Sequence, residues 1–376
     1  MEVSDFDFEN LSLIFESAIT NKVDKKHYNE LLVAYSGGSD STALLYFANK
    51  MAKKNKLNIR AVHVNHNLNI ESKDWEKHCK NFCKRLKIPL IIKNIKVIIK
   101  TGDSIEERAR EERYSSIKSL MTKKTIMITG HHADDQAETF LYQLFRGSGV
   151  KGLSSMPDFK NLLIGYHARP FLKLSKNTLM DVINFENLEY INDKSNENIK
   201  FSRNFIRKEV LPKIKKKWPS CVDTISRSSK NISESYKLNY ELAKIDIQNY
   251  LLVDINKIKT NVKELDDFRF NNVIRFWIKE NSFRMPSREQ INSIYLNIFS
   301  AGDDKTPFFS SSEYEIRRYN DYVEIMRPLK KHDPSKVYHW KFKDNLVIPS
   351  LSLNLSWKNL EDRIGYSLNH DVEVRF

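Results

Sequence analysis

The chain has 376 residues, which is enough for two or three domains with a substantial core. It carries 62 Lys and Arg against 48 Asp and Glu, and the resulting formal charge of +14 is typical of proteins that bind nucleic acids. No stretch reaches the roughly 18 apolar residues of a membrane span, and the N-terminus is acidic where a secretory signal would be basic, so we expect a cytoplasmic protein that does not enter a membrane.

Strand and helix patterns alternate through the first half of the chain. The sequence predicts a helix over 9–19, strands over 31–35, 59–64, 90–95 and 125–130, and helices over 71–87 and 104–120, the last opening with a capping-box pattern at Ser104. This alternation continues to about Tyr166 and predicts a parallel sheet with helices on both faces. Ligands of such sheets bind beyond the carboxyl ends of the strands, so the loops after Tyr35, Val64 and Thr129 should face one cleft.

The loop after the first strand reads Ser36-Gly37-Gly38-Ser39-Asp40-Ser41 and leads into a helix. Its glycines leave no Cβ in the way of a ligand, so their amides can point at an anion, and the helix start and three hydroxyls add donors. We expect this loop to bind phosphate. Asp40 would repel a phosphate unless a cation lay between them, which predicts bound Mg²⁺ at Asp40. The lysine of the common P-loop is absent.

Two histidines, His63 and His66, lie at the end of the second strand. Side chains alternate along a strand, so His63 should face the side opposite Val64, towards the nucleotide. A buried structural role explains either histidine equally well. Metal binding is disfavoured because no carboxylate or third histidine is spaced to complete a site.

The loop after the fourth strand has the densest group of ionisable residues, Gly130-His131-His132-Ala133-Asp134-Asp135-Gln136-Ala137-Glu138-Thr139. Asp134 is predicted to cap the helix that follows, with Asp135 and Glu138 near its start. Such acids can simply complement the helix dipole. Beside a phosphate loop they can also supply Mg²⁺ ligands, a general base and carboxylates for a cationic amine.

Basic residues flank this acidic loop in the sequence. Arg110 and Arg113 form a ridge that is routine on a solvated face but would neutralise triphosphate charge near the cleft. Arg146-Gly147-Ser148-Gly149 is a flexible basic turn that can lie over phosphates. The lysines of residues 208–217 form either a solvated helix end or a patch that follows a nucleic-acid backbone.

The Ser36–Ser41 loop resembles the pyrophosphate loop (PP-loop) of the N-type ATP pyrophosphatases. The whole ordered set of motifs resembles the tRNA(Ile)-lysidine synthetase family over roughly residues 30–215. Besides the motifs above, that set contains Arg110-x-x-Arg113-Tyr114, Gly152-Leu153, Arg169-Pro170-Phe171, Asp193-Lys194-Ser195-Asn196, Arg203-Asn204-Phe205-Ile206-Arg207 and Leu211-Pro212.

The resemblance implies a parallel-sheet α/β PP-loop ATP pyrophosphatase domain, of the adenine nucleotide α hydrolase-like fold, followed by a mainly helical, α+β accessory domain. It implies that ATP activates the wobble cytidine of a CAU anticodon in tRNA(Ile) as an adenylate, and that free L-lysine displaces AMP to give lysidine. ATP and Mg²⁺ would be required, and a homodimer is possible.

Site residues follow from the motifs together with this resemblance. The residues expected to act in catalysis are Asp40, Asp135, Glu138 and Arg113, with Asp40 as the metal ligand. The residues expected to bind ATP are Ser36, Gly37, Gly38, Ser39, Asp40, Ser41, His63, His131, Arg146 and Gly147. The residues expected to bind lysine are Asp135, Glu138 and His131. The residues expected to bind tRNA are Arg203, Asn204, Arg207, Lys213, Lys215 and Lys216.

The predicted domains are the catalytic domain over 1–215, a tRNA-binding domain over 216–335 and a short or incomplete C-terminal segment over 336–376. The second half should contain helices over 226–252, 268–280 and 287–299 and a hairpin over 313–326 that turns at Asn320-Asp321.

Three other functions compete with this interpretation. A tRNA thiolase of the same superfamily would need reactive or paired cysteines, whereas Cys79, Cys83 and Cys221 are predicted to be buried structural residues. A small-molecule amidotransferase or synthetase would leave the basic second half unexplained. A non-catalytic RNA-binding protein with a vestigial nucleotide loop would not need the acids after the fourth strand.

Overall fold

The computed structural model describes residues 8–65, 71–95, 105–193, 197–302, 307–328, 335–341, 345–348, 353–356 and 372–374. The predicted capping box at Ser104, His66 and the Lys194–Asn196 part of one motif lie outside these ranges. The chain divides into two compact units, residues 1–236 and 237–376. Among the described residues, no helix has the length and apolar character needed to cross a bilayer.

The first unit is built on a six-stranded sheet. Its strands are β1 Glu30–Ala34, β2 Asn58–Asn65, β3 Leu90–Asn94, β4 Thr125–Ile128, β5 Phe159–Asn161 and β6 Tyr166–Ala168. They lie in the order β3-β2-β1-β4-β6-β5, and every neighbouring pair is parallel except β5 with β6. The predicted parallel sheet is confirmed, with β5 as an antiparallel edge strand.

Helices cover both faces of this sheet. They are α1 Phe8–Thr20, α2 Ser39–Asn55, α3 Ser72–Leu86, α4 Ile105–Lys118, α5 Ala133–Phe145, α6 Val150–Leu153 and α7 Lys176–Phe185. Side chains alternate along β1, so Leu31 and Val33 pack into one core while Leu32 packs into the core on the opposite face, beside Ile117 of α4. A strand buried on both faces explains the continuous apolar run of β1.

The strand order reverses at β1. Strand β2 lies next to β1 on one flank, and the chain later returns to place β4 next to β1 on the other flank. The loops after β1 and β4 therefore leave the same edge of the sheet, at the position where α/β proteins bind ligands. The two loops touch, because a Cβ on Gly130 would lie 2.9 Å from the backbone oxygen of Asp40.

A short helical segment packs against α5. It consists of α8 Ser202–Phe205, a π-helical turn over Ile206–Val210 and α9 Leu211–Lys217. Ile206 and Leu211 are buried in one cluster with Ala133 and Ala137 of α5. This packing brings the basic residues of the segment to the acidic start of α5.

The second unit has its own core. Helix α10 (Cys221–Ile247) contributes its end, followed by α11 Asp267–Glu280, α12 Arg288–Ile294 and a π-helical turn over Tyr295–Phe299. A sheet in the order β7-β10-β9-β8 contains β7 Lys257–Lys259, β8 Phe308–Ser310, β9 Glu315–Tyr319 and β10 Tyr322–Met326. The predicted hairpin is confirmed, since β9 and β10 pair across the Asn320-Asp321 turn.

Two short antiparallel pairs lie near the end of the chain. Strand β11 (Tyr338–Trp340) pairs with β14 (Val372–Val374), and β12 (Leu346–Ile348) pairs with β13 (Leu353–Leu355).

Candidate active site in the first unit

A cavity of about 610 Å³ opens at the carboxyl ends of β1, β2 and β4. This volume lies within the range of nucleotide-sized ligand sites. Its lining includes the loop after β1, apolar residues of β2 and α4, the loop after β4 and residues 190–193. The cleft predicted from the three strand ends is therefore present. The predicted site residues that line it are Ser36, Gly38, Ser39, Asp40, Ser41, His63, Arg113, His131, Asp135 and Arg207.

The loop after β1 is held in a conformation that suits an anion. Gly37 has φ +90°, and a Cβ there would lie 2.4 Å from Cδ1 of Ile191, so both the backbone and the packing require glycine. The Ser41 hydroxyl donates to the Gly38 carbonyl at 2.9 Å and accepts from the Ser36 amide at 3.2 Å. Helix α2 begins at the end of this loop, so its unpaired amides and positive dipole end face the cavity.

Lys176 is a site residue that the sequence interpretation missed. It is the first residue of α7, and its Nζ donates to Ser39 Oγ at 2.7 Å and to Asp40 Oδ1 at 2.5 Å. Burial raises the pKa of Asp40, but His132 and Lys176 outweigh burial and hold that pKa below its usual value. A cationic side chain thus reaches this loop from a helix more than one hundred residues later, and no spacing rule in the sequence connects the two.

His132 is the centre of the acidic cluster. The prediction that Asp134 caps α5 is wrong, because the N-cap residue is His132, whose amide donates to Asp135 Oδ2 at 3.0 Å. His132 Nε2 lies 3.6 Å from Asp40 Oδ2 and 3.4 Å from Asp135 Oδ2. Burial lowers the pKa of His132, but these two carboxylates more than compensate and raise it above its usual value. His132 therefore links the phosphate loop to the start of α5.

Basic residues of the 202–217 segment form ion pairs with the acids of α5. Arg207 donates to Glu138 at 2.6 and 2.8 Å and to Asp135 at 3.0 Å, and Lys215 pairs with Asp134. Glu138 is only 1% exposed, and its burial raises its pKa despite the guanidinium of Arg207. Glu138 does not line the cavity, whereas Asp135 and Arg207 do.

His131 and His63 line the cavity as neutral imidazoles. His131 Nδ1 lies 2.9 Å from Thr129 Oγ1, which is 3.0 Å from Nε2 of His167. Burial, followed by the charge of Arg169, holds the pKa of His131 well below its usual value. Burial also lowers the pKa of His63, whose Nδ1 lies 3.1 Å from the Tyr35 carbonyl oxygen. Both side chains can therefore exchange hydrogen bonds with a ligand without adding positive charge.

The three cysteines are free and buried, as predicted. Burial raises the pKa of Cys79 and of Cys83 to about 12, so both thiols stay protonated at neutral pH. Neither lines the cavity.

Two family models match the chain. Residues 11–214 match the PP-loop domain, and residues 260–323 match the TilS substrate binding domain. A tRNA(Ile)-lysidine synthase of Coxiella burnetii is 36% identical over 317 residues, which are 84% of this chain and 70% of that protein. The chain belongs to the tRNA(Ile)-lysidine synthase family. The enzyme of that name from Legionella pneumophila (strain Paris) is 33% identical over 93% of this chain and 81% of its own length, and that from Buchnera aphidicola subsp. Baizongia pistaciae is 38% identical over 92% and 80%.

Several residues predicted for the site lie outside the cavity of this lysidine synthase family member. Gly37 belongs to the phosphate loop but does not line the cavity, and Arg146 and Gly147 lie at the far end of α5. Of the residues predicted to bind tRNA, Lys213 is exposed and pairs with Glu209, while Arg203 donates to Thr139 at 2.8 Å. Asn204 and Lys216 are not part of the cavity lining.

Proposed function

We propose that this protein uses ATP to join free L-lysine to the wobble cytidine of the CAU anticodon of tRNA(Ile), releasing AMP and pyrophosphate. The observation that carries the proposal is one cavity whose wall combines the phosphate loop, Lys176 paired with Asp40, and Asp135 at the start of α5. Family membership supplies the substrate class.

In the first step, the carbonyl oxygen of the cytosine ring attacks the α-phosphorus of ATP, and the bond to the β-phosphate oxygen breaks. The amides of the 36–41 loop, the N-terminus of α2 and the Nζ of Lys176 are positioned to hold the leaving pyrophosphate. Arg113 lines the cavity, where its charge would stabilise the negative phosphate of the adenylate.

The residues present fit a magnesium ion bound together with the nucleotide. Among the described residues, no three His, Cys, Asp or Glu side chains are grouped to hold a metal ion by themselves. Mg²⁺ usually takes only one or two carboxylates and completes its shell with water and phosphate oxygens. Asp40 would be the protein ligand. The ion would neutralise charge on the departing pyrophosphate.

In the second step, the ε-amine of lysine attacks the activated ring carbon, the carbon–oxygen bond to AMP breaks, and the amine loses a proton. Asp135 lines the cavity and is the carboxylate we assign to the amine, with the neutral His131 beside it. Glu138, predicted for the same role, is buried under Arg207. We therefore assign Glu138 to positioning Arg207.

We propose that tRNA binding is shared between the units. In the first unit, the 202–217 segment contains the predicted tRNA-binding residues Arg203, Asn204, Lys213 and Lys216. On the same segment, Arg207 and Lys215 form ion pairs with the acids of α5. The second unit contains the segment that matches the TilS substrate binding domain. A cytoplasmic location and a homodimer remain predictions from the sequence.

The test is a measurement of AMP and pyrophosphate from ATP with a tRNA that has a CAU anticodon. We expect pyrophosphate release to require this tRNA and AMP release to require lysine as well. Release of AMP without RNA, with a free small molecule as acceptor, would contradict the proposal and favour the amidotransferase alternative.

A further inference from the structure

The far end of α5 and the turn after it form an exposed surface outside the cavity. Leu144 is 47% exposed, Phe145 65% and Val150 39%, and the neighbouring Arg146 and Lys151 are exposed as well. The chain contains no Asp or Glu between Glu138 and Asp158. We call residues 144–151 the α5-end surface. It combines exposed apolar side chains with two basic side chains.

The backbone of the α5-end surface is open to an approaching molecule. Gly147 has φ +66°, which favours glycine, whereas Gly149 has φ −73°, which any residue adopts. A Cβ at either position would meet no atom of the described residues within 4 Å. None of the described residues therefore requires glycine at 149, and its lack of a side chain leaves room for a contact from outside.

Arg146 is held in a fixed position on this surface. Its Nη1 donates to the Tyr142 hydroxyl at 2.9 Å, and its guanidinium carbon lies 5.1 Å from the centre of the Tyr142 ring. A side chain already fixed in this way loses less conformational entropy when it binds an anion.

Helix α5 connects this surface to the active site. His132, which bridges the phosphate loop and Asp135, precedes the first residue of α5, and Phe145 is the last. Thirteen helical residues span about 20 Å. A polynucleotide with one base in the cavity can therefore extend along α5 to the far end.

We propose that the α5-end surface binds an unpaired stretch of the substrate RNA that flanks the nucleotide in the cavity, with a base stacked on Phe145 and phosphates held by Arg146 and Lys151. This inference rests on the proposed function for the identity of the RNA. Aromatic side chains beside cations are the usual means of holding unpaired nucleotides. A symmetric contact between two copies would instead bring each Arg146 and Lys151 towards like charges.

The experiment compares the equilibrium binding of the CAU-anticodon tRNA to the full-length protein and to single variants. Phe145→Ala should raise the Kd roughly 5- to 150-fold by loss of stacking. Gly149→Ala should also weaken binding, although its melting temperature should equal that of the unsubstituted protein. For Arg146→Ala, the slope of log affinity against log salt should become shallower by about 0.7 per lost phosphate contact. Leu13→Ala on α1, where Leu13 is 59% exposed, is the matched control and should bind normally.

Two outcomes would overturn the inference. The first is an unchanged tRNA Kd for Phe145→Ala and Gly149→Ala in a protein that forms lysidine. The second is a change in oligomeric state on Phe145→Ala, measured by sedimentation, without a change in tRNA affinity, since this would assign the surface to contact between copies. Failure of the proposed function is a separate result, because the unsubstituted protein would then neither bind nor modify this tRNA.

Discussion

Replacing Arg207 with methionine removes the counter-charge of two acids and keeps the apolar stem of the side chain. In the native protein, Arg207 donates two hydrogen bonds to Glu138 and one to Asp135. Glu138 is only 1% exposed in the native protein, so the substitution leaves a largely buried carboxylate without its main counter-charge. The substitution should therefore weaken the packing of this segment on α5.

The size of the effect follows from the burial of the pair. Breaking a buried ion pair by removing one partner costs about 3–5 kcal/mol. The side chain of Arg207 is 41% exposed, so solvent reaches part of the pair, and we expect about 2–4 kcal/mol. Adding Glu138→Gln removes the stranded charge, so the double variant should recover about half of the loss or more.

The loss of stability in the Arg207→Met variant should also depend on pH. Burial already raises the pKa of Glu138, which means that the folded protein binds this proton more tightly than the unfolded chain does. The resulting penalty is fully present above the raised pKa and shrinks as the pH falls from there towards the pKa of the unfolded chain. Without Arg207 the pKa of Glu138 rises further, so Arg207→Met should cost less stability as the pH is lowered.

Hydrogen exchange of the α5 amides is the appropriate assay because it reports local stability in a chain with two units. At neutral pH, 2–4 kcal/mol corresponds to a roughly 30- to 1,000-fold loss of protection. Unchanged protection of α5 in the Arg207→Met variant, or a loss of stability that grows as the pH falls, would contradict the stabilising role of Arg207.

Three further predictions follow from the site. Lys176→Met should lower the rate of tRNA-dependent pyrophosphate release about 100- to 1,000-fold, measured under single-turnover conditions, with little change in melting temperature. Gly37→Ala should lower the melting temperature because of its φ and its packing, while Gly38→Ala, whose nearest neighbour atom is 3.6 Å from the added Cβ, should not; scanning calorimetry compares the two. Cys79 and Cys83 should resist iodoacetamide at about pH 8 in the folded protein, as mass spectrometry of digests would report.

The sequence predicts the sheet because local rules determine it. Apolar runs such as Leu31–Val33, the alternation with helices and the Gly37-Gly38 turn specify strands, crossovers and the position of the phosphate loop without any distant information. The strand order that brings the loop after β1 beside the loop after β4 then follows from the general arrangement of such sheets. The cavity was predictable for this reason.

The pairing of charges in the site was not predictable from the sequence. Lys176 reaches Asp40 and Arg207 reaches Glu138 across large sequence separations, and these contacts depend on how α7 and the 202–217 segment pack. The sequence shows Arg207 only as part of the Arg203–Arg207 motif, and from that motif it is predicted to bind tRNA. Arg207 also lies in a π-helical turn, a feature that side-chain periodicity does not reveal.

The N-cap of α5 also differs from the residue predicted from the sequence. Asp134 is the better N-cap by residue type, but it is the second residue of the helix, where it accepts from the Lys176 amide and pairs with Lys215. His132 takes the cap position because its imidazole is held between two carboxylates. Tertiary electrostatics here outweighs a local preference of about 1 kcal/mol.

The most direct test is the mass of the anticodon-loop fragment recovered from CAU-anticodon tRNA(Ile) after incubation with the protein, ATP, Mg²⁺ and lysine. We expect the wobble cytidine to gain the mass of lysine minus one water, and we expect no such gain when lysine is omitted. A gain that corresponds to exchange of oxygen for sulfur, or an unchanged cytidine despite tRNA-dependent consumption of ATP, would contradict the proposed formation of lysidine.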